Sequence, residues 1–406
     1  MSKAASAFTV MVKPIGSACN MACRYCYYLG NELSHRRPMS YETLEVLIRN
    51  YFDSSSGPVV SFIWHGGEPT LRGIDFYKKA VELEKKYLPK GYECWNNIQT
   101  NGLELSDEWC QFLKKERFDV GLSIDGTALI HDSFRKDASG KGTYDRVKAS
   151  IERLKRYGIR PDLLCTVNAQ TCEDAYNVYR QLRDLNTGWI QFIPIVNMDG
   201  DGNFDPYSVD RKRYGSFLKT VFYQWLYNDL DKLGVQLFME MMQVYAGNSQ
   251  TLCWLQERCG NVPVVESDGK VYSCDHFVRE EHCLGNIHED SLSSIMDGDK
   301  QRSFGERKAF LNEKCRNCPY LSICNGGCLK DRDRNNCNVL CESYLEVFEE
   351  AEEPLRKAAK LWMEGNSFKK IMEELKKDRD EKWKDIKGNA PCPCGSGRKY
   401  KHCCGK

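Results

Sequence analysis

The sequence predicts an α/β fold, a partial barrel of six strand–helix units followed by cysteine-rich modules. Two observations carry this. Six β-rich apolar runs alternate with segments of helical periodicity over residues 9–195, and parallel strands need such crossovers. Fifteen of the 21 cysteines fall into four spaced groups, all but the first of them beyond that region. A doubly wound open sheet has the same alternation, and periodicity does not choose between the two.

The strand runs are Thr9–Pro14, Val59–Trp64, Trp95–Thr100, Val120–Asp125, Asp162–Val167 and Ile190–Ile195. Helical periodicity covers about 40–53, 74–87, 106–116, 143–157 and 171–186. The first helix has a cap signal, Ser40 with Glu42 and Thr43, ahead of the stripe Leu44, Leu47 and Ile48. Ligands of parallel sheets bind at the carboxyl ends of the strands. Polar or glycine-rich residues follow nearly every strand: Cys19–Cys26, Gly66-Gly67-Glu68-Pro69, Asn101-Gly102, then Ser123, Asp125 and Gly126, then Asn168, with Pro194 inside the last run. Each alone reads as turn chemistry. Their coincidence on one rim predicts a common pocket.

Composition narrows the partners. The chain has 406 residues, 41% hydrophobic and 28% charged, with a formal net charge of +1. Such a balance gives no electrostatic case for nucleic acid or a membrane surface. No apolar run is long enough to span a bilayer and the N-terminus lacks a signal peptide's apolar core, so a cytoplasmic location is expected. In a reducing compartment, clustered thiols read as metal ligands rather than disulfides.

The first group, Cys19-x3-Cys23-x2-Cys26, offers three thiolates within eight residues. Three ligands hold three corners of a cubane iron–sulfur cluster and leave one iron open, as a catalytic centre requires. A structural zinc would want a fourth ligand, and the nearest histidine, His35, has no matching spacing. With Tyr25, Tyr27 and Tyr28 beside it, this group resembles the signature of the radical S-adenosylmethionine (SAM) superfamily. Gly66-Gly67-Glu68-Pro69 resembles that superfamily's segment beside the methionine amino group. Ser123 and Arg135, in Ser-Ile-Asp-Gly followed by His131-Asp132-Ser133-Phe134-Arg135, resemble its other cofactor-contacting positions. The resemblance implies a partial six-fold barrel, a [4Fe–4S] cluster on Cys19, Cys23 and Cys26, and S-adenosylmethionine held by Tyr25, Gly66, Gly67, Glu68, Ser123, Arg135 and Val196.

The second and third groups interleave: Cys253, Cys259 and Cys274, then Cys315, Cys318, Cys324 and Cys328, then Cys341. Eight thiols suffice for two four-thiolate sites, and spacing alone fits zinc or iron–sulfur. The segment resembles the auxiliary-cluster (SPASM) domain of peptide- and protein-modifying radical enzymes. That likeness implies one [4Fe–4S] cluster on Cys253, Cys259, Cys274 and Cys328 and another on Cys315, Cys318, Cys324 and Cys341. Cys283 and Cys337 do not fit the pattern. They read as ordinary residues, as do Cys94, Cys110, Cys165 and Cys172, which read as small buried hydrophobes.

Over about residues 8–350 the chain resembles the anaerobic sulfatase-maturating enzymes. The matching segments are Trp64-His65-Gly66-Gly67-Glu68, Ile98-Gln99-Thr100-Asn101-Gly102, Ile190-Gln191-Phe192-Ile193-Pro194 and Val271-Tyr272-Ser273-Cys274-Asp275-His276-Phe277. The resemblance implies oxidation of a cysteine or serine in a sulfatase's Cys/Ser-x-Pro/Ala-x-Arg segment to formylglycine. It makes Asp275 the catalytic base, with His65 and His276 as alternatives, and implies an electron donor such as flavodoxin or ferredoxin. The competing expectations are a peptide-crosslinking radical enzyme and a non-enzymatic zinc module. A leader-binding N-terminal domain is expected in many crosslinkers, and with only about eight residues ahead of the first strand the crosslinking reading is the less expected one.

The fourth group, Cys392-x-Cys394-x8-Cys403-Cys404, resembles the SEC-C zinc module, and four soft ligands in 13 residues suit one closed tetrahedral zinc site. His402 is an alternative ligand. The tail is expected to be an add-on to the catalytic unit. The charged stretch 342–388 is expected to form amphipathic helices acting as a solvated spacer. The expected organisation is a barrel over 1–235, the two-cluster domain over 236–350, a linker over 351–389 and the zinc motif over 390–406.

Overall fold

The structure is a computed structural model that describes residues 3–28, 37–199 and 202–405; His35 lies outside them. Ten strands occur among the described residues. They are β1 (Val10–Val12), β2 (Val59–Trp64), β3 (Glu93–Thr100), β4 (Asp119–Ser123), β5 (Asp162–Val167), β6 (Trp189–Pro194), β7 (Gly234–Val235), β8 (Val264–Val265), β9 (Lys270–Tyr272) and β10 (Cys283–Asn286). The chain divides into two compact units, one comprising Met1–Ser123, Asp132–Pro161 and Arg258–Phe310, the other Ile124–His131, Asp162–Glu257 and Leu311–Lys406.

In the first unit the strands lie in the order β10-β9-β8-β1-β2-β3-β4. β1 to β4 are parallel neighbours in chain order. A doubly wound sheet reverses its order at a switch point. Here β1 to β4 show no reversal, and the barrel-type winding is the one observed. β8 adds to the free side of β1 in parallel, pairing Val265 with Val12, and β9 and β10 continue from it antiparallel. In the second unit β5, β6 and β7 are parallel neighbours.

Local chemistry explains most element boundaries. The predicted first helix forms as Tyr41–Ser54, and the Ser40 hydroxyl accepts from the Thr43 amide at its start. Ser106 caps Asp107–Lys115 in the same way. The predicted helix at 171–186 is divided into Ala169–Glu173 and Ala175–Asp184, because Asn168 caps earlier and Asp174 interrupts the run. β1 is three residues long and stops before Lys13 and Pro14; proline has no amide to donate to a ladder.

The stretch 342–388 forms the expected amphipathic helices but is not a solvated spacer. It forms helices Cys341–Met363 and Phe368–Lys382, and both are packed rather than solvated. Val347, Phe348, Ala351, Leu355, Ala358 and Ala359 are buried on the first, Ile371 and Leu375 on the second. The first lies so close to helix Arg213–Asn228 that a Cβ on Gly215 would stand 3.1 Å from the Ser343 Cα. The dense charges occupy the outward faces. Among the described residues no helix is long and apolar enough to cross a membrane.

Candidate functional site

The loop after β1 carries Cys19, Cys23 and Cys26. It is tied down by backbone bonds from Ala22 to the Lys136 carbonyl at 2.8 Å and from Arg24 to the Phe134 carbonyl at 3.0 Å. The two glycines after β2 exist because the backbones approach too closely for a side chain. The Gly67 and Glu68 amides donate to the Gly16 and Ala18 carbonyls at 2.8 Å. A Cβ on Gly67 would lie 2.1 Å from the Ala18 oxygen, and Gly66 adopts φ +124°.

Glu68 is 1% exposed and braces two rim loops. Its Oε1 accepts from the Thr70 amide at 3.1 Å and from the Thr70 and Thr100 hydroxyls at 2.6 Å, and its Oε2 accepts from the Asn101 amide at 2.7 Å. Burial raises its pKa and these donors oppose the rise. Asn101 in turn donates to Asn20 at 2.8 Å and approaches the Cys19 sulfur at 3.8 Å. Ser123 accepts from Gln99 at 3.2 Å, and the Arg135 guanidinium lies 5.5 Å from the Tyr25 ring centre. In the first unit these bonds tie the loops after β1, β2 and β3 to one another, while Asp125 and Gly126 belong to the second unit. Asn168, Pro194 and Val196 belong to the second unit, where the Val196 carbonyl accepts from Lys330 at 3.4 Å.

The first unit holds a second focus. The hairpin of β8 and β9 delivers Cys274 and then Asp275, which opens a 3-10 turn, Asp275–Phe277. The fully buried ammonium of Lys13 pairs with Asp275 Oδ1. The Tyr28 hydroxyl donates to the same oxygen at 3.2 Å, and the Tyr27 hydroxyl donates to Oδ2. Both tyrosines directly follow Cys26, so the carboxylate next to Cys274 is fastened to the loop of the first cysteine group. Burial alone would raise the Asp275 pKa. The charges of Lys13, then His65 and His276, overcome it and hold the carboxyl well below the usual range. Burial lowers the His65 pKa, with Asp275 opposing.

Among the buried polar atoms of this unit without a side-chain partner in the described residues are His65 Nδ1, both oxygens of Glu266 and the Ser267 hydroxyl, all on residues that follow β2 and β8. Buried polar atoms are normally satisfied, so these fit a site completed by a bound molecule. Glu266 follows β8 as Lys13 follows β1, one step beyond the Val12–Val265 pair. Burial pushes its carboxyl up to about 7, with Lys13 opposing. Neither Lys13 nor Glu266 was singled out from the sequence. The signal available was a charged residue continuing an apolar strand.

The remaining cysteine groups divide between the units. Cys259 and Cys274 belong to the first, Cys253 and Cys328 to the second. The Cys328 thiol is pushed up to about 12 by burial, with Cys253 among the charges acting on it. Two ties hold the Cys253 loop. The Thr251 amide donates to Glu240 at 2.8 Å, and Asn325 donates to the Leu255 carbonyl at 2.7 Å.

Cys315, Cys318, Cys324 and Cys341 all lie in the second unit. Burial raises the Cys341 thiol, and Cys315 and Cys318 are close enough for their charges to act on it. Cys337, read from sequence as an ordinary residue, acts on both Cys315 and Cys341 and accepts from Asn312 at 3.0 Å. Cys392, Cys394, Cys403 and Cys404 bring four sulfurs within 4.8 Å of one another, without His402. Zinc–sulfur bonds of about 2.3 Å put tetrahedral sulfurs about 3.8 Å apart. The observed 3.5 Å (Cys394–Cys403) and 3.9 Å (Cys403–Cys404) fit that ion.

Comparison with known proteins agrees with this layout. Residues 14–181 match the radical SAM superfamily, 253–319 the SPASM iron–sulfur cluster-binding domain and 389–406 the SEC-C motif. The chain is 37% identical to the serine-type anaerobic sulfatase-maturating enzyme of Bacteroides thetaiotaomicron, over 90% of this chain and 95% of that one. It is 32% identical to the cysteine-type enzyme of Clostridium novyi, over 84% and 94%. The solved structure of native anSMEcpe with bound AdoMet and Cp18Cys peptide superposes with a TM-score of 0.82 at 31% identity, covering 87% of this chain and 99% of that one.

Proposed function

The chain belongs to the anaerobic sulfatase-maturating enzymes, and from that premise we propose that it oxidises a cysteine or serine of a sulfatase polypeptide to formylglycine, with Asp275 as the base. When bound, S-adenosylmethionine and three [4Fe–4S] clusters supply the one-electron chemistry that removes a β-hydrogen atom and carries away the second electron. The proposed ligands are Cys19, Cys23 and Cys26 for the cleaving cluster, Cys253, Cys259, Cys274 and Cys328 for one auxiliary cluster, and Cys315, Cys318, Cys324 and Cys341 for the other. Tyr25, Gly66, Gly67, Glu68, Ser123, Arg135 and Val196 are the proposed cofactor contacts.

The observation that carries the reading is the anchored carboxylate. Lys13, Tyr27 and Tyr28 fix Asp275 at the sequence neighbour of a cluster ligand and on the loop of another. The Lys13 ammonium favours its ionised form, the form that accepts a proton. So low a pKa makes a weak base, yet removal of the β-hydrogen acidifies the adjacent S–H or O–H. The proton then passes to Asp275 without a strong base. His65 Nδ1 and the Glu266 carboxyl offer polar atoms for the substrate peptide to satisfy. An external donor such as flavodoxin or ferredoxin supplies electrons, and the four C-terminal thiolates hold one zinc ion.

The test is anaerobic incubation of the reconstituted protein with peptides carrying Cys-x-Pro-x-Arg or Ser-x-Ala-x-Arg, read by mass spectrometry. Formylglycine in either peptide is the expected product. Cofactor cleavage with both peptides unchanged, or with a crosslink formed, contradicts the reading.

A further inference from the structure

Helix Arg213–Asn228 is buried along nearly its whole length, and most of its buried residues are apolar. Two polar exceptions, Thr220 at 1% exposure and Gln224 at 6%, stand one helical turn apart on the same face. Buried side chains of this kind need partners, and both find them in the C-terminal tail. The Thr220 hydroxyl donates to the Cys394 carbonyl at 3.0 Å. The Gln224 amide nitrogen lies 3.4 Å from the Cys403 sulfur, 3.6 Å from Cys404 and 3.9 Å from Cys394. Its two hydrogens serve two of these three sulfurs at a time.

The rest of the tail is fitted to the same surface. Gly395, at φ +79°, lies so close that a Cβ would stand 3.2 Å from the Thr220 hydroxyl oxygen. Trp383, 5% exposed, packs against Tyr223 and Tyr227 of the helix and against Tyr400 of the tail, at ring separations of 5.2, 6.0 and 6.1 Å. The Arg398 guanidinium sits 4.5 Å from the Tyr176 ring centre. On the same helix, Lys219 pairs at 3.3 Å with Glu350 of helix Cys341–Met363, the helix that begins at a proposed cluster ligand.

Four thiolates on a divalent ion leave two negative charges. Cys392, Cys394 and Cys404 are at most 5% exposed, so water does little to offset them. Donors around a metal's ligands do that work and tune its affinity. We propose that Gln224 is the outer donor to the zinc tetrathiolate, and that the loaded tail is a latch on helix Arg213–Asn228 whose metal occupancy sets the stability of the C-terminal half. The proposal rests on the reading of the tail as a zinc site. It replaces the expected add-on with a part of the fold.

The test uses the full-length protein reconstituted under anaerobic conditions, and the variants Gln224→Leu, Gln224→Glu and Thr220→Val. Zinc and iron content, zinc affinity by chelator competition and the thermal midpoint are measured. Gln224→Leu should weaken zinc by about 10- to 100-fold, the range for lost outer-shell donors, with iron unchanged. Gln224→Glu should weaken it more, because a carboxylate then faces the thiolates, and Thr220→Val less. Stripping zinc from the parent should lower its midpoint and erase the gap between parent and Gln224→Leu. Should the Gln224 variants fail to fold, Thr220→Val and the stripped parent carry the test. Parent-like zinc affinity in the variants, or a midpoint unmoved by stripping, overturns the latch and leaves the zinc site standing. A parent protein without zinc overturns both.

Discussion

The Lys13–Asp275 centre and the Gln224–thiolate centre each bury charge, and they treat it in opposite ways. At Asp275 an ammonium and two phenols hold one carboxylate, while His65 Nδ1 and both oxygens of the neighbouring Glu266 are left without partners. At the tail, the sulfurs meet a glutamine donor and the backbone is bonded to Thr220. Unsatisfied buried polar atoms cost stability, and a fold keeps them where a substrate or cofactor will complete them. Satisfied ones rigidify. The contrast separates a reacting centre from a fastening.

The contrast can be broken most decisively at the first cysteine group. Changing Cys19, Cys23 and Cys26 together to Ala should abolish cofactor cleavage and lower the iron count from about twelve to about eight per chain, by the ligand count. Zinc at the tail should be unaffected, as metal analysis of the same sample will show.

Lys13→Met should come next in size. Without the ammonium, burial is no longer offset and raises the Asp275 carboxyl, so turnover should acquire an acid limb that the parent does not show. The sign follows from the cause: Lys13 lowers the carboxyl, and its loss lets it rise. The profile is read on a short peptide from pH 5 to 9.

Deleting residues 390–406 tests the fastening. It exposes Trp383, Thr220 and Gln224 and removes the zinc, so the thermal midpoint should fall by more than about 5 °C, at about 2–4 °C per kcal/mol. Turnover below the new midpoint should persist, because the proposed catalytic residues all precede the tail.

Glu266→Gln should give the smallest change and the one most specific to an unpaired carboxyl. The group rises from 4.5 to about 7 in the fold, chiefly through burial. Its neutral form is therefore favoured when folded. That contribution is complete below 4.5 and is lost as pH rises through about 7. The amide cannot titrate, so urea midpoints of the variant should vary less between pH 5 and 8 than those of the parent. The difference should be at most about 3 kcal/mol.

The legible and illegible parts of the molecule divide by range. Strand runs, the Ser40 cap and the cysteine groups are local patterns, and they appear where the sequence places them. The partners of Asp275 are not local. Lys13 reaches it because β8, some 250 residues later, pairs with β1, and no periodicity predicts that register. Gln224 was invisible for a related reason. Within a helix buried nearly all round, one glutamine looks like an ordinary polar position until the last residues of the chain fold onto it. The helices after Cys341 are amphipathic as expected, but that their stripes are packed rather than solvated depends on partners distant in sequence.

Asp275→Asn addresses the central claim most directly, through the ratio of 5′-deoxyadenosine to formylglycine formed from one peptide. The amide keeps the shape and can still bond the tyrosines, but it is no base. Iron content should equal that of the parent and 5′-deoxyadenosine should still form, while formylglycine falls by about 100-fold or more. Formylglycine made at the parent rate would show that Asp275 does not take the proton, and His65 or His276 would inherit the role.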